Sequence, residues 1–122
     1  MIFKVPQSEL ESRLLRFRKL MDLRNPDWQI VAVFSKINLY YFTGTMQEGV
    51  LFILKYDEAV LWIRRSYERA VDESLFPDIR PMESYRDAAI TMKNLPETVY
   101  LEAIKRRDRR WRKFAKTNGR AH

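Results

Sequence analysis

The chain has 122 residues, enough for one domain, and 46% of them are apolar, so it can bury a core. It has no cysteine, which excludes disulfides and thiolate metal sites and leads us to expect a cytoplasmic protein. The chain has 23 basic and 16 acidic residues, and nine of the basic and one of the acidic residues lie in 105–122. Residues 1–104 keep 14 basic and 15 acidic residues and are therefore nearly neutral. A uniformly basic nucleic-acid surface is therefore excluded.

The sequence gives no sign of a membrane partner. Its start lacks the basic and long apolar regions of a signal peptide, and no apolar run reaches the roughly 20 residues that span a bilayer.

The first predicted element is a helix near the amino terminus. Ser8 and Glu11 have the spacing of a capping box, in which hydroxyl and carboxylate accept hydrogen bonds from free backbone amides. Apolar residues then recur at helical spacing: Leu10, Leu14, Phe17 and Met21. Asn25-Pro26 ends the helix, because the residue before proline is displaced from helical geometry.

Three apolar runs predict strands, at residues 28–34, 50–56 and 59–64. The second and third are separated by Asp57-Glu58, so we expect an antiparallel hairpin. Between the first two, residues 37–42 predict one short helical turn, which Gly44 closes by supplying a positive φ.

The second half alternates helix and strand. Ser66 is placed to cap a helix running to about Ser74, and Ser84 with Asp87 to cap another running to about Asn94. Residues 78–82 predict an edge strand, since Pro81 cannot donate to a ladder. A short last strand is expected at 99–101.

This order predicts an α/β domain with a mixed sheet of about five strands flanked by helices. The hairpin should be antiparallel and the helix-linked strands mostly parallel. We assign residues 1–103 to the domain and 104–122 to a basic tail, which is a linker or is not native sequence.

No set of residues in this sequence predicts an active site. The only histidine is the terminal His122, and no glycine-rich phosphate loop is present. Ser35, Ser66 and Ser84 are interpreted as helix caps, because no histidine is placed to act as a base. The adjacent pair Asp72-Glu73 is interpreted as part of a solvated helix face. We therefore assign no catalytic, cofactor-binding or metal-binding residue.

Several segments together resemble one family. They are Ser35-Lys-Ile-Asn-Leu-Tyr-Tyr-Phe-Thr-Gly44, Arg64-Arg-Ser-Tyr-Glu68, Ile79-Arg-Pro-Met-Glu-Ser-Tyr-Arg-Asp87 and Val99-Tyr-Leu-Glu102. In order and spacing they resemble the amino-terminal domain of the creatinase, prolidase and aminopeptidase P family, over roughly residues 6–102.

The resemblance implies a ribonuclease-H-like fold without nuclease activity. It also implies a separate carboxy-terminal catalytic domain, absent here, that holds two divalent metal ions such as Mn or Zn. The parent protein would then be an Xaa-Pro dipeptidase or aminopeptidase P. This domain would shape substrate access, pack against the catalytic domain and support homo-oligomers such as dimers.

Four residues are candidates for an interface or for gating substrate: Tyr40, Tyr41, Arg64 and Tyr67. Amphipathic rings are enriched at interfaces. Leu39, Phe42 and Gly44 are interpreted as structural.

A second hypothesis is a stand-alone module that binds protein or nucleic acid through the basic tail. Trp111 and Phe114 would stack on bases while the cations bind phosphates. A solvated end, a linker and a non-native sequence are the other interpretations of this tail.

Overall fold

A computed structural model describes residues 4–92 and 100–101 of the chain. In chain order the elements are α1 (Gln7–Arg24), β1 (Ile30–Val33), α2 (Lys36–Thr43), β2 (Gly49–Leu54), β3 (Val60–Ile63), α3 (Tyr67–Glu73), β4 (Ile79–Pro81), α4 (Tyr85–Thr91) and β5 (Tyr100–Leu101). The predicted ends at Asn94 and Val99 and the tail 104–122 lie outside the described residues. Within the described chain, no helix combines the length and apolar character that spanning a bilayer requires.

The strands form one mixed sheet in the order β4-β3-β2-β1-β5, which confirms the predicted α/β class. The fifth strand has only two residues. β2 is antiparallel to β1 and to β3, as the hairpin prediction required, while β3–β4 and β1–β5 are parallel. β4 lies at an edge, as predicted.

The expectation of parallel helix-linked strands holds across α3 and is wrong across α2. Gly44 ends α2 with a φ of 81°, and the chain returns to the end of the sheet where β1 stops. β2 therefore runs back beside β1. α2 is also longer than the predicted single turn, at eight residues.

Side chains alternate between the two faces of the sheet. The first face, which we call face one, carries Val31, Val33, Leu51, Ile53, Leu61 and Ile63, packed with residues of α1, α2 and α3. The second, face two, carries Ile30, Ala32, Val50, Phe52, Val60 and Trp62, packed with residues of α4. Two apolar layers therefore enclose the sheet, as its continuously apolar strands require.

The predicted capping box at Ser8 and Glu11 is wrong. α1 begins at Gln7 with Pro6 as its N-cap, and the Pro6 carbonyl accepts the N–H groups of Glu9 and Leu10 at 3.0 and 3.2 Å. Proline already has the φ that a helix start needs, so the helix begins before Ser8 can act as its cap.

The other predicted caps lie where expected: Ser35, Ser66 and Ser84 are the N-cap residues of α2, α3 and α4. At α4 the capping box is formed, and the Asp87 carboxylate accepts the Ser84 N–H at 3.1 Å. Ser66 is an N-cap by position, with a φ of 61° and no hydrogen bond from its side chain to the helix start.

Candidate functional site

The two candidate tyrosines lie on the outer face of α2. Tyr40 and Tyr41 are 43% and 42% exposed, and Ile37, one turn earlier, is 78% exposed. Residues three and four apart are neighbours on a helix surface, so these three side chains form one patch, the α2 patch. Leu39 and Phe42 are buried on the opposite side, as the sequence predicted.

Cations of α1 border the α2 patch. The Arg13 guanidinium lies 4.7 Å from the centre of the Tyr41 ring and donates to the Tyr41 carbonyl at 2.7 Å. A hydrogen bond with the Tyr41 side chain, assisted by the nearby Glu9 carboxylate, raises the pKa of the Arg16 guanidinium above its ordinary value. Arginine is charged at every physiological pH, so the patch is an aromatic surface with a permanently cationic edge.

Arg64 follows β3 and is held by the residue that precedes β2. Its Nη1 donates to a Glu48 carboxylate oxygen at 2.9 Å, and its backbone N–H donates to the Glu48 carbonyl at 2.8 Å. Its Nε is buried and finds no hydrogen-bond acceptor within the described part of the chain. The two contacts with Glu48 thus fix the direction of the guanidinium.

Tyr67 begins α3 and packs partly into face one. Its hydroxyl points to the Ile79 carbonyl at 3.4 Å, a long contact that ties it to β4. The four candidates therefore divide into two pairs: the tyrosines of α2 beside α1, and Arg64 with Tyr67 beside β2 and β4.

A hydrogen-bonded cluster beside these residues was not predicted. Glu73, expected on a solvated helix face, accepts hydrogen bonds from the Thr45 hydroxyl at 2.5 Å and from Gln47 Nε2 at 3.1 Å. The buried Ser74 hydroxyl donates to the Thr43 carbonyl and accepts the Phe76 N–H at 3.0 Å. The cluster fastens residues 43–47 to the end of α3.

Within residues 4–92 and 100–101, no group of three or more potential ligands among His, Cys, Asp and Glu could hold a metal ion. What the described surface offers is an aromatic patch, cations held by neighbouring groups and hydrogen-bonded loops. Such features suit contact with another protein surface.

The sequence matches the family described as the creatinase/prolidase N-terminal domain, over residues 13–107. The chain belongs to this family. The resemblance predicted from its motifs is thereby confirmed. A comparison with curated protein sequences finds no significant match.

Solved structures share the fold of this creatinase/prolidase N-terminal domain. Prolidase from Pyrococcus furiosus is 26% identical with a TM-score of 0.71, covering 89% of this chain and 34% of its own. An Xaa-Pro aminopeptidase structure from Streptococcus pyogenes is 16% identical with a TM-score of 0.74, covering 96% and 94%. The creatinase/prolidase N-terminal domain of an X-Pro dipeptidase from Streptococcus pyogenes is 15% identical with a TM-score of 0.66, covering 91% and 92%. The chain thus spans about a third of the prolidase.

Proposed function

We propose that this domain is the non-catalytic part of an Xaa-Pro dipeptidase or aminopeptidase P-like metallopeptidase. It would shape substrate access and assemble with a catalytic domain that holds two divalent metal ions such as Mn or Zn. The observation that carries the proposal is the family match over residues 13–107, together with the fact that the chain corresponds to 34% of a prolidase.

The proposed mechanism is architectural. The α2 patch would bury Tyr40 and Tyr41 against the catalytic domain or a partner subunit, because tyrosine gains from burying its ring while its hydroxyl keeps a polar contact. Arg64 and Tyr67 would border the route by which peptides enter. The Glu48 contact and the cluster around Glu73 would keep that border rigid.

The gene tests this proposal directly. Its sequence beyond codon 122 should be read in all three frames from about codon 103. We expect a frame that continues for about twice the length of this chain, because the chain covers 34% of the prolidase, and that encodes spaced Asp, His and Glu residues. A stop in every frame would contradict the proposal and favour a stand-alone binding module.

A binding measurement tests the α2 patch. Tyr40→Ala and Tyr41→Ala, combined in the full chain, should weaken its association with the separately expressed catalytic domain by roughly tenfold or more, as for buried aromatic anchors. Tyr56→Ala is the matched control, since Tyr56 is 84% exposed and lies outside the patch. Equal losses for both variants would remove the patch from the interface.

Metal addition tests the assignment of the metals to the other domain. Mn²⁺ or Zn²⁺ should leave the melting temperature of this chain unchanged, because an ion stabilises only a fold that binds it. A saturable rise in melting temperature would show a site within the chain itself and would contradict this part of the proposal.

A further inference from the structure

A groove lies along α1, away from the α2 patch. It encloses a cavity of about 330 Å³. One wall is a helical stripe of α1 that includes Gln7, Glu11 and Leu15, and the other is formed by Glu58 with Ala59 and by Phe76 with Pro77. Its apolar lining includes Leu10, Leu14, Ala59 and Phe76. The volume is at the lower end of the ~300–1,000 Å³ typical of pockets that take organic groups, enough for an aromatic side chain.

The groove has an acidic edge. Glu11 and Glu58 line it together with one cation, Arg18, so its lining carries one net negative charge. Arg18 already donates to the backbone carbonyls of Leu54 at 3.0 Å and Asp57 at 2.9 Å. Its guanidinium is thus held by the β2–β3 turn. Among the described residues neither Glu11 nor Glu58 forms an ion pair, and Glu11 accepts one long hydrogen bond, from the Gln7 amide at 3.4 Å.

The basic segment 105–116 has the matching chemistry. It combines Trp111 and Phe114 with closely spaced Lys and Arg residues, in a chain whose other residues are nearly neutral. Aromatic rings suit the apolar lining, and the cations suit Glu11 and Glu58. No role in the proposed peptidase assembly uses this segment.

The length of the chain allows the contact. The described chain ends at Leu101 in β5, three strand positions from β3, which is about 14 Å across the sheet. β1 is antiparallel to β2, and β5 is parallel to β1, so β5 points away from the β2–β3 turn. The chain after Leu101 must therefore turn back and cover about 13 Å along the strand direction to reach that turn. The ten residues from 101 to 111 reach up to roughly 35 Å when extended.

We propose that segment 105–116 docks in the α1 groove of its own chain, with Trp111 against the apolar lining and its cations beside Glu11 and Glu58. If the chain continues into a second domain, this contact fixes where the connection leaves the first. The contact is independent of the α2 patch and of the proposed function.

Disulfide trapping tests the docking, since the chain has no cysteine of its own. The full chain carrying Gln7→Cys and Ala115→Cys is compared with one carrying Met46→Cys and Ala115→Cys. Met46 is neutral, 50% exposed and outside the groove. Met46 lies between α2 and β2, at the end of the sheet towards which β5 points, so a free tether gives its pair no lower an effective concentration than the Gln7 pair. Docking should therefore make the intramolecular disulfide form roughly tenfold faster in the Gln7 pair. Equal rates, or a faster Met46 pair, would overturn the proposal.

Two further measurements test which interactions hold the segment in the groove and whether the segment belongs to the same chain. Trp111→Ala or about 0.5 M salt should slow the Gln7 pair to the control rate or below it, since the first removes the anchor and the second screens the charges. An unchanged rate in both would overturn the proposed chemistry. A product of twice the chain's mass would place the segment of a second copy in the groove and would overturn docking within one chain.

Discussion

The two faces of the sheet are built differently, although the strands supply both with similar apolar residues. Face one is covered by α1, α2 and α3, whereas among the described residues face two is covered by α4, a helix of seven residues. The buried donor Trp62 Nε1, which has no acceptor within the described chain, lies on face two. Face one instead borders a hydrogen-bonded cluster at the end of α3.

The two faces differ in whether their buried polar groups are paired within the described residues. A buried N–H that lacks an acceptor costs about 1–3 kcal/mol, and among the described residues Trp62 Nε1 places such a group on face two. Above this ring lies the Arg80 guanidinium, 5.4 Å from the ring centre, which is itself paired with Asp78. We infer that face one carries most of the domain's stability.

Matched deletions on the two faces test that inference. Ile53→Ala on face one and Ile30→Ala on face two remove the same atoms from residues that are 0% and 1% exposed. Each should lower the free energy of unfolding by about 2–5 kcal/mol, with Ile53 at the upper end because three helices hold its surroundings open after truncation. Urea unfolding gives both values. A loss at Ile30 that equals or exceeds the loss at Ile53 would contradict the ranking.

The cluster beside face one should tolerate truncation less well than surface polar contacts do. Ser74→Ala leaves the Thr43 carbonyl and the Phe76 N–H without their partner, which should cost about 1–3 kcal/mol because both groups are buried. Ser12→Ala is the control, since the contact of Ser12 within the described residues is an exposed hydrogen bond from Arg16. Similar losses in the two variants would show that the cluster adds no stability of its own.

Local chemistry made much of this fold predictable. The apolar runs gave three strands, and the Ser84–Asp87 spacing gave the start of α4, because both depend on neighbours in the chain. Ser8 and Glu11 have the same spacing but do not form a box, since Pro6 starts the helix earlier. The sequence pattern alone did not show whether α1 starts after Pro6 or after Ser8.

Features that depend on distant partners were not predictable. The sequence around Glu73 predicts a solvated side chain. Its hydrogen-bond partners, Thr45 and Gln47, are 28 and 26 positions away in the chain and come beside it only in the fold. Gly49 looks unremarkable in the sequence, yet a Cβ there would lie 2.0 Å from the Trp62 carbonyl oxygen of the paired strand. For the candidate site, the sequence did not show that Tyr40 and Tyr41 are exposed or that Glu48 and β4 fix Arg64 and Tyr67. A role for these residues in an interface or in gating stays a prediction.

The helix on face two should depend on its cap. Asp87→Ala removes the carboxylate that accepts the N–H groups of Glu83 and Ser84, at 3.0 and 3.1 Å. We expect a loss of about 1 kcal/mol in the free energy of unfolding. Asp72→Ala in α3 is the control and should change stability little, because Asp72 is exposed and lies in the last turn of its helix. If the two variants melt alike, the cap does not hold α4 on face two.

The smallest effect should come from the surface of α1 that covers face one. Glu9→Gln removes the ion pairs of Glu9 with Arg13 at 3.0 Å and with Arg16 at 3.6 Å, which are partly exposed, and should cost about 0.5 kcal/mol at low salt. The loss should shrink at high salt, because ions screen charge pairs that solvent reaches. Arg13→Ala should cost more and should keep its effect in salt, because it also removes the 2.7 Å hydrogen bond to the Tyr41 carbonyl that joins α1 to α2. Thermal melts of both variants at two salt concentrations separate these contributions. If the Arg13 variant lost its effect in salt as well, charge rather than the α1–α2 hydrogen bond would hold this edge of face one, and the α2 patch would rest on a weaker support than the structure indicates.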